Sequence, residues 1–159
     1  MPDGKIIQNG DPVTIDFGAV YNGYCSDMTR TFFVGKPCDE MVEIYNTVLK
    51  AQQAAIDGFR ANMKCLELDR LARDYISSKG YGKYFGHSLG HGVGIEIHEA
   101  PAVSSRNDSV IMDGMVFSIE PGIYVEDSGG VRIEDLAYAH DGTIELMTAA
   151  VSKELLIIT

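Results

Sequence analysis

Five residues combine oxygen or imidazole donors with positions inside or beside apolar, strand-like runs: Asp16, Asp27, His91, Glu120 and Glu134. Asp16 lies in Val13-Thr14-Ile15-Asp16-Phe17, Glu120 closes Val116-Phe117-Ser118-Ile119-Glu120, and Glu134 closes Val131-Arg132-Ile133-Glu134. An unpaired charge facing inward from such a strand costs several kcal/mol, so each acid is on a solvated face, paired with a cation, or binding metal. Taken singly, a solvated face accounts for any of them. Taken together, four carboxylates and an imidazole suit Mn²⁺, Fe²⁺, Co²⁺ or Zn²⁺, and they suffice for two ions if two carboxylates bridge. Two ions roughly 3.5–4 Å apart share a hydroxide at neutral pH and polarise a carbonyl, which makes metal-assisted hydrolysis the expected reaction class.

The run Gly86-His87-Ser88-Leu89-Gly90-His91-Gly92-Val93-Gly94 holds two histidines four residues apart, the spacing of a zinc-protease helix. Ser88 stands where such a helix needs its glutamate, and the glycines favour a loop that brings backbone close to a ligand. In Ile95-Glu96-Ile97-His98, Ile95 and Ile97 are expected to face the core and His98 the other side. By strict alternation His91 and His98 fall on opposite faces, so both serve one site only if the chain bends at Gly92 or Gly94. Arg132 shares the parity of Glu134 and is read either as that acid's counter-ion or as a carboxylate-binding residue. Cys25 shares a face with Asp27 but is not read as a ligand, because a thiolate among carboxylates is electrostatically disfavoured. His140, beside Asp141-Gly142, is read as a surface residue.

Strands must present the acids. Asn22-Gly23 divides two alternating runs between Pro12 and Val34 and is a two-residue hairpin signal. With that turn, Tyr21 pairs with Tyr24, Gly18 falls opposite Asp27, and Asp16 and Asp27 become diagonal neighbours about 7 Å apart on one face. Gly18 is expected to leave the space between them empty. After Pro37, Met41, Val42, Tyr45, Val48, Leu49, Ala55, Ile56 and Phe59 recur at helical spacing, and a second helix is expected from Leu66 to Lys79 with Gly80 as its stop. Neither helix is read as carrying chemistry. Met115 to Val125, Val131 to Ala139 and Leu155 to Ile158 read as strands, with a turn at Asp127-Ser128-Gly129-Gly130. This order of elements predicts an α/β (α+β) fold, a curved antiparallel sheet with helices on one face. With no repeat or linker visible, residues 1–159 are read as a single domain.

The 159 residues are 45% hydrophobic and 23% charged, a globular profile rather than a disordered or fibrous one. Folding at this length buries roughly 70% of the unfolded chain's surface, so no disulfide staple is needed. The cysteines, Cys25, Cys38 and Cys65, are odd in number and irregularly spaced, which fits free thiols and a cytoplasmic setting. A net charge of −10 without a basic run argues against nucleic acid and anionic membranes as partners. No apolar stretch approaches the roughly 20 residues of a membrane span, and Met1-Pro2-Asp3-Gly4 lacks an export-signal pattern.

At these residues the chain resembles the Xaa-Pro peptidases (prolidase and aminopeptidase P) of the methionine aminopeptidase, creatinase and prolidase group. The resemblance rests on four ordered blocks: Val13 to Gly18 with Asp27-Met28-Thr29-Arg30-Thr31; Gly86 to Gly94 continuing through His98-Glu99-Ala100-Pro101; Ser118-Ile119-Glu120-Pro121-Gly122-Ile123-Tyr124; and Gly130-Val131-Arg132-Ile133-Glu134-Asp135. It implies the pita-bread fold and a dinuclear centre, with Asp16 and Asp27 on one ion, His91 and Glu120 on the other, and Asp27 and Glu134 bridging. Mn²⁺ is the first choice of metal, with Co²⁺, Zn²⁺ or Fe²⁺ as alternatives. It also implies that a metal-bound hydroxide attacks the peptide carbonyl before proline, that Glu120 accepts the water's proton, that His98 stabilises the oxyanion, and that His87 and Arg132 hold the prolyl end. The expected partner is a peptide substrate with proline at its second position.

Family catalytic domains carry further elements, including another active-site histidine, ahead of the block containing Asp16, whereas no histidine precedes His87 here. The chain is therefore expected to be an N-terminally truncated, C-terminal portion, with a sheet edge that favours a homo-oligomer. Two other readings stay open: a non-catalytic peptide-binding module on the same fold, which would be expected to lose metal ligands, and a metal-free, creatinase-like amidinohydrolase, in which these acids would have no evident use.

Overall fold

The computed structural model describes Gly4 and residues 6–159; Met1-Pro2-Asp3, part of the stretch read as lacking an export signal, lie outside the described residues. Strands β1 (Pro12–Phe17), β2 (Val20–Tyr21), β3 (Tyr24–Cys25) and β4 (Met28–Val34) open the chain. Helices α1 (Asp39–Gly58) and α2 (Cys65–Ser78) follow, then β5 (Gly90–Gly92), β6 (Glu99–Val103), β7 (Val116–Ile119), β8 (Gly122–Val125), β9 (Gly129–Arg132), β10 (Asp135–His140), β11 (Thr143–Leu146) and β12 (Ile157–Ile158). Among the described residues the main sheet runs β11-β10-β7-β5-β6, and a second sheet runs β1-β4-β12, antiparallel except where β12 joins β4 in parallel.

The hairpin forms as its turn dictates. Asn22 and Gly23 both have positive φ, the conformation a tight two-residue turn requires, and Tyr21 pairs with Tyr24. The same register continues into β1 and β4, where Asp16 pairs with Thr29. Gly18 plays a different part from the one expected: a Cβ there would lie 1.9 Å from the Ser26 carbonyl oxygen, so glycine admits the opposite backbone and leaves no empty space.

Helix α1 buries Met41, Ile44, Tyr45, Val48, Ala51 and Ala55, and α2 buries Cys65, Leu68, Ala72 and Ile76. The helices pack on each other, α1 also against β7, β8 and β9 and α2 against β6, so one core lies between helices and sheet. Gly80, with φ of 87°, sits just past the end of α2 as its stop. Both helices also bury polar groups that apolar periodicity passes over, Gln52 on α1 and Asp69 on α2.

Each of the long C-terminal strands is broken at an acid. The run from Met115 to Val125 divides at Glu120-Pro121, and that from Val131 to Ala139 divides at Ile133-Glu134. Pro121 has no N–H to give a ladder, and the Glu120 N–H turns to the Leu89 carbonyl at 2.7 Å. Ile95 and Ile97 are 73% and 40% exposed in a bent segment rather than facing the core. The bend is held because Gly94 accepts from the Cys25 N–H and donates to Glu96, and the Glu99 carboxylate accepts from the Glu96 N–H. Among the described residues no helix is long and apolar enough to cross a membrane.

Candidate metal centre

Asp27, just before β4, His91 on β5 and Glu134, just before β10, each offer a ligand atom, and those atoms all lie within 4.8 Å of one another. Glu120 closes the group, its Oε1 3.3 Å from His91 Nε2, while Asp27 Oδ2 is 3.6 Å from the same nitrogen. The irregular pairing between His91 and Gly92 and the bend that follows bring His98 back, ring to ring with His91 at 4.2 Å between centroids. Strict alternation would have separated these two rings.

Asp16 stands apart. Its side chain is 51% exposed rather than buried, and it accepts a hydrogen bond from Arg132 Nη2. Arg132 therefore pairs with Asp16, and at 3.9 Å with Glu120, in place of the expected Glu134. Its remaining donors reach Tyr124 Oη at 2.9 Å and Thr29 Oγ1 at 3.2 Å. Thr29 in turn donates to Glu134 Oε2 at 2.6 Å, and Ser118 donates to Glu120 Oε1 at 3.1 Å. These hydroxyls orient both glutamates. Cys25 stays out of the group, its thiol donating to the Ile95 carbonyl.

His87 directs Nδ1 to the Ser88 carbonyl at 2.8 Å and leaves a buried Nε2 without a hydrogen-bond partner. Its ring meets Phe85 edge-on and lies 5.7 Å from the Tyr124 ring. Burial lowers its pKa, which favours the neutral imidazole. A cavity of about 440 Å³ is lined by Asp16, His87, His91, His98, Glu120 and Arg132 among others, so all three histidines meet one space.

Burial pushes Glu120 up to about 7, against the hydrogen bond from Ser118 and the charge of Arg132. It pushes Glu134 up to about 8, against the hydrogen bond from Thr29, and Asp27 also rises through burial and the nearby charge of Asp16. Acids gathered this closely hold protons unless a cation is present. The donor set fits divalent ions: carboxylate oxygens whose anionic form burial disfavours until a cation is bound, and one imidazole whose Nδ1 is turned to the Gly92 carbonyl, leaving Nε2 for the ion.

Several residues around the site escape a reading of motif spacing. Tyr124, Thr29 and Ser118 lie within the recognised blocks but carry no chemical signal of their own. Asp69 is fully buried, takes both ends of Arg73, and accepts the Leu89 N–H at 3.1 Å. Arg73 then donates to the carbonyls of Phe85 and His87, so α2 fixes the loop that carries His87 and His91. A charged residue at a core position of α2 was the available cue.

The family model for metallopeptidase family M24 matches residues 1–141. A Xaa-Pro dipeptidase of Pyrococcus furiosus is 49% identical over 152 residues, which is 96% of this chain and 43% of that protein. The structure of a Xaa-Pro dipeptidase from Bacillus anthracis superposes with a TM-score of 0.94 at 53% identity, covering 97% of this chain and 43% of the other. A recombinant prolidase from Thermococcus sibiricus gives 0.95 at 43% identity, covering 99% and 43%. The chain thus spans 43% of the length of each of these three relatives. The superpositions bear out the pita-bread fold expected from the resemblance.

Proposed function

Because the chain belongs to metallopeptidase family M24, we propose that residues 1–159 form a metallopeptidase catalytic unit whose activity is hydrolysis of the peptide bond before proline in dipeptides or short peptides. The observation that carries this reading is the convergence of Asp27, His91 and Glu134, with Glu120 beside them, from four separate segments. These residues, together with Asp16 once Arg132 releases it, would hold two divalent ions, Mn²⁺ by preference and Co²⁺, Zn²⁺ or Fe²⁺ by the same chemistry. Such ions supply Lewis acidity and a nucleophilic water at neutral pH.

The chain's own groups do the rest. Glu120, beside His91 and lining the cavity, would accept the proton of the attacking water. His98, exposed, set beside His91 and lining the same cavity, would donate to the peptide carbonyl oxygen as it gains charge. His87 and Arg132 border the same cavity and would hold the prolyl end, Arg132 as a cation for a free carboxylate. The outer side of β1, with Ile15 45% and Phe17 50% exposed on an edge strand, is where two copies would associate.

Metal content after Mn²⁺ loading, with Ala-Pro and Gly-Pro hydrolysis measured on the same sample, tests the reading. Two ions with turnover supports it in full. Two ions without turnover restricts this chain to the metal-bearing part of the machinery, and absence of bound metal returns the peptide-binding reading.

A further inference from the structure

We infer that Gln52, on α1, is a positioning residue for the metal centre: its buried amide sets the separation of Glu120 and Glu134. The inference rests on the metal-centre reading above. Gln52 is fully buried, and its Nε2 donates to the carbonyl oxygens of Ile119 at 3.0 Å and Ile133 at 3.3 Å. Those carbonyls belong to the peptide links that lead into Glu120 and into Glu134. A single amide therefore spans the place where the two strand pairs are interrupted, gripping the backbone one step before each acid.

Its orientation is determined. Lys153 Nζ donates to Gln52 Oε1 at 3.1 Å, and an ammonium has only donors, so the amide oxygen must face it and both amide hydrogens are left for the carbonyls. Lys153 is itself held by Asp135 Oδ2 at 2.7 Å. Asp135 is fully buried and takes Arg30 and Thr148 on its other oxygen, each at 2.7 Å. Arg30 returns to the centre by donating to the carbonyls of Thr29 and Glu134. The network thus connects the C-terminal segment to the backbone on both sides of the site.

Loss of the amide would leave two buried carbonyls short of a donor where the ladder gives them least support. The backbone relaxes by changing the distance between the two strand breaks, and the carboxylates move with it. Metal–ligand distances are held to within about 0.2 Å, so a movement too small to unfold the chain is large enough to weaken a shared site.

The test uses the full chain and Mn²⁺ alone, with calorimetric titration for affinity and electron paramagnetic resonance for the spin-coupled signal of two adjacent ions. Gln52→Leu should keep its circular dichroism, lose about 10- to 100-fold in affinity for the weaker ion, and lose the coupled signal. Thr47→Val, on the same helix with a buried hydroxyl that donates to the Glu43 carbonyl, is the control for loosening of α1 and should keep both. Unchanged affinity and coupling in Gln52→Leu would overturn the inference, as would an equal loss in Thr47→Val. If Gln52→Leu does not fold, Lys153→Met, which frees the amide to rotate, decides on the same readouts: reduced coupling supports the inference and wild-type coupling overturns it. Failure of the unmutated chain to bind Mn²⁺ sinks the metal-centre reading itself and this inference with it, whereas two coupled ions bound with equal affinity in both proteins sinks only the role of Gln52.

Discussion

Glu120 and Glu134 face each other across a two-pair gap in a ladder that keeps one register on both sides, Ile119 with Asp135 before it and Gly122 with Arg132 after it. The gap frees both acids from strand geometry without separating them. With pKa values near 7 and 8 they hold protons that a metal ion must displace.

Metal affinity should therefore rise steeply with pH. From these two groups alone the apparent affinity should gain about a hundredfold per pH unit below 7, about tenfold between 7 and 8, and little above that. Calorimetric Mn²⁺ titrations across this range, in two buffers of different ionisation enthalpy, give the affinities and count the protons released. Release of no protons at about pH 6 would contradict the assignment.

Stability of the metal-free chain should move the opposite way. Both glutamates have folded-state values above the ordinary 4.5, so the native state binds more protons than the unfolded state between that value and about 8. The stability they confer is complete below the unfolded value and is lost as pH rises through about 7 and 8. Thermal unfolding without metal should occur at a lower temperature at about pH 8.5 than at about pH 5.5, and saturating Mn²⁺ should reverse the order.

Thr29 tunes this balance. Its hydroxyl is buried, donates to Glu134 and accepts from Arg132, and the bond to Glu134 holds that carboxyl lower than burial alone would. Thr29→Val keeps the shape and removes the bond. It should cost about 1–3 kcal/mol in denaturant unfolding and shift the pH midpoint of Mn²⁺ binding upward. A midpoint that stays in place or falls would show that the hydroxyl does not act on Glu134.

The first hairpin was legible because Asn22-Gly23 admits one turn geometry, and that turn carries its register as far as Asp16 and Thr29. The helices were legible from apolar period alone. Ladder interruptions at Glu120 and Glu134 were legible only in part: Pro121 lacks an N–H, but the acceptors that take the two acids' own N–H groups, the Leu89 and Thr29 carbonyls, lie elsewhere in the chain. Arg132 went to Asp16 because parity within one strand says nothing of which neighbouring strand brings the nearer acid. Polar residues at core helix positions, Gln52 after Ala51 and Asp69 after Leu68, were the unused cue.

Asp69 offers a test of how far the site depends on that buried support. With Asp69 gone, Arg73 loses its carboxylate partner and the Leu89 N–H its acceptor, two residues before His91. Asp69→Ala should destabilise the chain by about 3–5 kcal/mol, read as a shift in urea midpoint. Asp69→Asn, which keeps an acceptor for Leu89, should cost less. Equal losses would mean that the backbone bond contributes nothing beyond the ion pair.

Asp27 and His98 separate binding from chemistry at one centre. Asp27 lies within the three-residue ligand group and is assigned to both ions, so Asp27→Ala should abolish binding of both and remove any turnover. His98 is exposed, lies with its ring against His91 and lines the same cavity. His98→Ala should therefore keep the full metal complement and lose hydrolysis of Ala-Pro by about 10²- to 10³-fold, the usual cost of removing one oxyanion donor. Metal analysis and turnover on the same preparations distinguish the two. If both variants lose metal equally, His98 belongs to the ligand shell and the division of roles made here is wrong; if His98→Ala turns over normally, another donor meets the oxyanion.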